Sequence, residues 1–333
     1  MPKLRVGVIY GGRSGEHEVS LLSAQSVINA LDQTKYTIVP IKIDPAGNWE
    51  GISIQSDPKG NPDLDVVFPV LHGPYGEDGT IQGLLELANL PYVGAGVTSS
   101  AVAMDKALMR ILFSGAGLPL LPWESVLHYQ WQGDAIGIKD RLETSLGYPM
   151  FVKPANLGSS VGISKVKSPA DLGPALDEAF AFDRKVVVEQ GLIGAREVEC
   201  SVLGHNHPQA SVAGEIVPAH EFYDYGAKYH NEQSRLIIPA PLDAKQAACI
   251  ADYAIRAFRA VDCSGMGRVD FFVDQQGEIF VNEINTIPGF TQISMYPKLW
   301  EHSGLPYTNL LDRLIAIALE KHQERQALRT TIS

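Results

Sequence analysis

Cysteine is scarce in this chain and badly spaced for structural work. The three cysteines, Cys200, Cys249 and Cys263, are odd in number and lack CxxC spacing, which argues against a disulfide framework or a zinc site and leaves buried or spectator thiols. The nine histidines show no HExxH or other zinc spacing. Long apolar runs are also missing. No stretch approaches the roughly 20 residues of a membrane span, and MPKLRVGVIYGG enters a strand-like run without a secretory leader's apolar segment or cleavage site. A cytoplasmic protein with no membrane partner is the expectation. Positive charge is short as well: 27 Lys and Arg stand against 38 Asp and Glu, for a formal net charge of -11. Such a field opposes nucleic acid and anionic lipid and favours a small-molecule partner. If that molecule is a nucleotide, local basic residues and a metal ion must overcome the global field.

What remains is ordinary globular chain. Of 333 residues, 45% are hydrophobic and 20% charged, so the chain is expected to fold throughout, with fraying at the polar end HQERQALRTTIS. At roughly 100 to 200 residues per domain, the length implies two or three domains. The first hundred residues alternate strand and helix signals. RVGVIYGG, TIVPIKID and DVVFPVLHG read as strands, while Leu21, Ala24, Ile28 and Leu31, then Ile81, Leu84, Leu85 and Ala88, recur at helical spacing. This predicts an α/β layer with a parallel sheet and functional loops at the carboxyl ends of its strands, where Gly11 to Ser14 and His72 to Asp78 fall. From about residue 100 the pattern becomes α+β: MFVKP, GISKV, KVVVEQ, REVECSVLG and QASVAGEIV read as strands in hairpins, with few helices. Two long helices are predicted around Ile250 to Val261 and Leu311 to Ala318. SPADLGPAL offers a Ser168 cap and Pro169 at the first helical position, with Pro174 expected to interrupt or delay that helix.

Two segments carry chemistry. In VKPANLGSSVGISKV a strand presents Lys153 and runs into a loop with Gly158, Ser159, Ser160 and Gly162. Small residues there let backbone N–H groups approach an anion while the lysine adds a point charge, as phosphate binding requires. No GK[ST] follows, so this is not a Walker A loop, and a plain hairpin turn is an equal reading of the segment alone. In GRVDFFVDQQGEIFVNEINTIPG two strands flank DQQG. A two-residue Gln275-Gln276 turn pairs Arg268 with Glu283 and Asp270 with Val281, and the period of 2 then puts Arg268, Asp270, Glu283 and Asn285 on one face. Carboxylate and amide oxygens in that grouping suit magnesium with nucleotide phosphate, against the alternative of a solvated sheet face. A three-residue loop would break the parity. GGRSGE after the first strand lacks GxGxxG spacing, which argues against a nicotinamide cofactor. Glu16 there, and His72 and Glu77 in LHGPYGEDG, are equally explicable as helix-end and turn residues.

Taken in order, GGRSGEHEVS, LHGPYGEDGTIQG, MDK, VKPANLGSSVG, EFYDYGAKY, GRVDFFV and NEINTIPGFTQISMYP resemble the D-alanine:D-alanine ligase family over nearly the whole chain. The resemblance implies a Rossmann-like N-terminal domain (1–100) followed by the two lobes of an ATP grasp (101–190 and 191–333). It implies ATP-dependent ligation of two D-alanines for peptidoglycan precursors, with two magnesium ions, or manganese in their place, and a homodimer. By the same resemblance Lys106, Lys153, Ser160, Glu189, Leu192 and Glu197 contact the nucleotide, and Lys228 is the phosphate lysine of a mobile lid. EQGLIGAREVEC is one residue longer than the usual stretch, which leaves Glu199 as the alternative to Glu197. Asp270, Glu283 and Asn285 hold magnesium, and Glu16 holds the first D-alanine's ammonium, with His72 and Glu77 beside that substrate. Arg268 and the Gly289 N–H serve as oxyanion donors, Ser294 binds the second substrate's carboxylate, and Glu16, Ser159 and Tyr229 link the N-terminal domain to the lid. No role is implied for the insert HYQWQGDAIGIKDRL.

Overall fold

The first ninety residues build a sheet whose interior strands are apolar on both faces. The computed structural model describes residues 2–158, 161–217 and 235–329. Strands β1 (Leu4–Gly11), β2 (Tyr36–Ile43), β3 (Trp49–Glu50) and β4 (Val66–Val70) lie in the order β3-β2-β1-β4. β1 runs parallel to both β2 and β4, as the strand-helix alternation predicts. Every residue of VVFPV in β4 is buried, the continuous apolar pattern of a parallel strand covered on both sides. Pro69 is tolerated because β4 is the edge strand, where a missing N–H breaks no second ladder. Helix α1 (His17–Ala30) covers one face and α2 (Thr80–Leu87) stands beside the other.

Helices α3 (Val97–Met104) and α4 (Lys106–Gly115) lead into a second sheet of β5 (Trp123–Leu127), β6 (Met150–Pro154), β7 (Ser164–Val166) and β8 (Lys185–Gln190), in the order β5-β8-β6-β7. The insert forms α5 (His128–Gly133) and α6 (Ala135–Leu146), and α7 (Pro169–Phe180) packs on the same sheet. Two expectations fail here. The region is richer in helix than the hairpin pattern suggested, and α7 runs unbroken through Pro174. Proline costs the helix one bond, to the Ala170 carbonyl, but Leu172, Ala175, Leu176 and Ala179 are all buried by the same helix. At about 1.5–3 kcal/mol for a buried large side chain, that packing outweighs the lost bond.

The third sheet orders β9 (Arg196–Gly204), β10 (Gln209–Val217), β11 (Arg235–Ile237), β12 (Gly265–Val273) and β13 (Ile279–Asn285) as β11-β10-β9-β12-β13, with all neighbours antiparallel. Helix α8 (Ala244–Ala260) buries Ile250, Ala254, Ala257 and Phe258 against it, started by an Asp243–Gln246 capping box. Helices α9 (Met295–His302) and α10 (Tyr307–Gln326) close the chain. α10 reaches further into the polar tail than expected. Its end is held by Glu324, which accepts from Asn206 at 2.8 Å, and by Gln326, which donates to Asn89 at 2.6 Å. Its apolar face, Leu310, Leu311, Leu314 and Ile317, shares one core with Val6, Val8 and Phe68 of the N-terminal sheet, so the last helix locks onto the first domain.

The β12–β13 hairpin differs from the two-residue turn expected. Asp274 and Glu278 close a three-residue loop, Gln275 to Gly277, with Gly277 at φ +86°. That loop alone would turn β13's polar residues to the opposite face. The register then slips by one between Asp270 and Phe271, with Asn282 as the extra residue on β13, so Asp270 pairs with Glu283 and Arg268 with Asn285. Two departures cancel: the loop breaks the parity and the bulge restores it.

Candidate active site

The parallel sheet brings two loops together at the carboxyl ends of β1 and β4. Ser14 Oγ donates to the His72 carbonyl at 2.8 Å, and the Glu16 N–H donates to Ser14 Oγ at 3.2 Å. This knots the segment before α1 to the segment after β4. Glu16 is buried at the joint, between two glycines: a Cβ on Gly73 would lie 2.7 Å from Glu16 Oε2, and one on Gly158 would lie 3.1 Å away. Gly73 also sits at φ +73°, where a side chain is strained. Gly73→Ala is therefore expected to displace the Glu16 carboxylate and raise the Michaelis constant of whichever substrate it holds, while the constant for the other substrates stays put. Steady-state kinetics checks this, and an unchanged constant removes Glu16 from the ligand contacts.

His72 Nε2 lies 3.1 Å from Ser23 Oγ, and burial lowers the imidazole's pKa, so the ring is neutral at pH 7. Glu77 accepts from the Gly73 N–H at 2.8 Å. Desolvation first, and the nearby Glu16 charge second, push its carboxyl up to about 8. Near pH 7 Glu77 therefore holds its proton beside Glu16, and a cation bound between the two acids would favour its release.

The second sheet supplies basic groups. Asp105 caps α4 by accepting from the Ala107 and Leu108 N–H groups at 3.1 Å, which aims Lys106 inward, its Nζ 2.7 Å from the Leu157 carbonyl and 4.0 Å from Glu283. Lys153, at the end of β6, is paired with Glu189 of β8, and Glu189 is paired in turn with Arg110 of α4. Burial alone would raise the Glu189 pKa, but Arg110 and Lys153 outweigh it and hold the carboxyl below its usual range.

The third sheet supplies the polar face. Arg268 Nε and Nη2 donate to the two oxygens of Asp270 at 2.7 and 2.6 Å, Nε also lies 3.0 Å from Glu199, and Asn285 Nδ2 donates to Asp270 at 3.0 Å. Burial alone would lower the Arg268 pKa, yet Asp270 and Glu199 raise it, so the guanidinium stays charged. Beyond β13, Gly289 lies against Ser294, where a Cβ would stand 2.7 Å from the hydroxyl. Ser294 precedes α9 and its Oγ accepts from the Thr291 N–H at 3.0 Å. A hydroxyl before a helix N-terminus is a natural anion contact.

These pieces face one cleft of about 1080 Å³, lined by Glu16, His72, Glu77, Lys106, Lys153, Glu189, Leu192, Glu197, Arg268, Asp270, Glu283, Asn285, Gly289 and Ser294. Ser159, Ser160, Lys228 and Tyr229 lie outside the described residues. Two charge pairings escaped the sequence reading. Glu199, named from the sequence only as the alternative to Glu197, is the partner of Arg268, visible only once β9 and β12 are paired. Arg110, one turn after Lys106, joins Glu189 across 79 residues of chain.

Comparison with known proteins gives the family. The family model described as D-ala D-ala ligase C-terminus matches residues 112–316, and that described as D-ala D-ala ligase N-terminus matches 5–61 and 50–95. The chain is 49% identical to a D-alanine--D-alanine ligase of Geobacillus thermodenitrificans over 99% of both chains. It is 52% identical to one of Heliobacterium modesticaldum, covering 98% of this chain and 97% of that one. The solved D-alanine-D-alanine ligase of Coxiella burnetii superposes with a TM-score of 0.88 at 40% identity, covering 98% of this chain and 97% of the other. The VanG D-Ala:D-Ser ligase of Enterococcus faecalis superposes at 0.86 with 36% identity, covering 95% and 100%. The fold is a Rossmann-like sheet followed by an ATP grasp, and the chain belongs to the D-alanine–D-alanine ligase family.

Proposed function

We propose that this chain joins two D-alanine molecules at the expense of ATP, supplying the dipeptide for peptidoglycan precursors. The observation that carries the reading is one cleft lined by three chemistries: the acids Glu16 and Glu77, the lysines Lys106 and Lys153, and the Asp270–Glu283–Asn285 face. A carboxylate is a poor acylating agent because its leaving group is oxide. Transfer of the ATP γ-phosphoryl group to the first D-alanine's carboxylate forms a C–O–P bridge, breaks the β–γ bond and releases ADP. The second D-alanine's amine then attacks the carbonyl carbon, the C–N bond forms, phosphate leaves and the nitrogen loses a proton.

In this reading Glu16 accepts from the first ammonium, with His72 and Glu77 beside it. Lys106 and Lys153 bind phosphate oxygens, joined by Ser160 and by Lys228 of the lid, and Glu189, Leu192 and Glu197 hold adenine and ribose. Glu199, the alternative to Glu197, is already engaged by Arg268. Ser159 and Tyr229 tie the lid to Glu16. Arg268 and the Gly289 N–H face the tetrahedral oxyanion, a geometry in which each donor matters most when charge develops. Ser294 receives the second carboxylate. Among the described residues no group of three or more His, Cys, Asp or Glu side chains forms a ready metal site. The carboxylates of Asp270 and Glu283, paired across β12 and β13, and the Asn285 amide oxygen are the ligand types of a hard ion that takes its remaining ligands from water and phosphate. Magnesium there, two ions with manganese as a substitute, neutralises phosphate charge when bound.

Among the described residues no helix is long and apolar enough to cross a membrane; a cytoplasmic site of action is part of the proposal. Leu108, Ile111 and Leu112 stand exposed along α4, an apolar stripe suited to a homodimer. The likeness to a D-Ala:D-Ser ligase favours one second reading, a different acceptor. An ADP-release assay coupled to NADH oxidation, with D-alanine, L-alanine, D-serine and D-lactate in parallel, tests both. Release with D-alanine alone is expected. Preference for D-serine or D-lactate establishes the second reading, and ATP binding without release under any condition overturns the ligase.

A further inference from the structure

Arg110 sits one helical turn after Lys106 on α4, on the same face. It is 2% exposed and is absent from the lining of the cleft. Its Nη2 pairs with Glu189 Oε2 on β8 and reaches Asn282 Oδ1 on β13 at 3.5 Å, while its buried Nε and Nη1 have no hydrogen-bond partner among the described residues. As a stabilising device this is poor design. A buried ion pair is often replaced by apolar side chains without loss, and bare donors are a cost. What Arg110 touches is more informative. Glu189 divides its two oxygens between two cations, Oε2 to Arg110 and Oε1 to Lys153. Asn282 is the extra residue of the bulge, the one that returns Glu283 and Asn285 to the face of Arg268 and Asp270.

We propose that Arg110 is a positioning residue for the nucleotide: by holding one oxygen of Glu189 and the bulge at Asn282, it fixes the Lys153 ammonium and the metal-type carboxylate face as one unit. Without it, Lys153 gains access to both oxygens of Glu189 and is drawn back from the cleft, and the bulge loses its tie to α4. Both contacts are made by Nη2 at the tip of the guanidinium, one bond further from Cα than a lysine's Nζ, so a lysine at this position falls short of Glu189 and Asn282 together.

The inference rests on the reading that ATP occupies this cleft, so the wild-type enzyme is titrated with ATP beside the variants Arg110→Lys and Arg110→Met. The expected order of Michaelis constants for ATP is wild type below Arg110→Lys below Arg110→Met. The last is expected to be raised about tenfold or more, in the range of about 10 to 100-fold typical when an outer partner of a site is removed. The constants for both D-alanines are expected to stay within about twofold, far below that range. A purely structural arginine lowers the melting temperature but leaves the ATP constant of the folded enzyme unmoved. That result, or equal changes in the ATP and D-alanine constants, overturns the proposal. If Arg110→Met does not fold, Arg110→Lys decides alone: an ATP constant equal to wild type refutes positioning. A wild-type enzyme that uses no ATP refutes the functional reading instead.

Discussion

Arg268→Met is expected to lower kcat by about 10²–10³-fold, the cost of losing one oxyanion donor, or about 2.7–4 kcal/mol of barrier. The side chain holds both oxygens of Asp270 and reaches Glu199 at 3.0 Å. Its removal therefore leaves two carboxylates facing each other with no cation between them. Breaking a buried pair by removing one partner typically costs about 3–5 kcal/mol, and the lower part of that range applies because the cleft admits water. Thermal unfolding measures the stability loss, and kcat per folded enzyme measures the catalytic one. The two need not travel together. A variant that is less stable but turns over at the wild-type rate makes Arg268 a structural counterion, and the oxyanion role falls.

Lys153→Ala is expected to leave the fold intact and weaken ATP binding by about tenfold to a hundredfold, the equivalent of one charge-assisted hydrogen bond of about 1.5–3 kcal/mol. The fold survives because Glu189 keeps Arg110 as a counterion when Lys153 is gone. Circular dichroism and nucleotide titration separate the two effects. ATP affinity equal to wild type would falsify the phosphate contact and make Lys153 a partner of Glu189 alone.

Much of the architecture was legible because it rests on local patterns. The apolar runs of RVGVIYGG and DVVFPV read as strands of a parallel sheet, and β1 and β4 are parallel neighbours. Pro174 misled because its local cost is real, but Leu172, Leu176 and Ala179 bury enough surface to carry α7 through it. The case of Asp270 and Glu283 is more instructive. A two-residue turn predicted a shared face; the hairpin has three residues and a compensating bulge, and the shared face remains. The outcome was readable and its cause was not, since bulge position depends on packing against β9 and α4.

By itself the sequence determined the order and type of the main elements, the polar residues offered by each loop, and the family, because periodicity and motif order are local properties of the chain. The tertiary structure alone decided which groups meet. It set Glu16 between Gly73 and Gly158, gave Arg268 the counterion Glu199, and joined Arg110 to Glu189 across 79 residues. The reason is physical. A buried charge is tolerable only where another charge meets it at a few ångströms, and that distance is fixed by the mutual packing of three sheets, which no window of sequence contains.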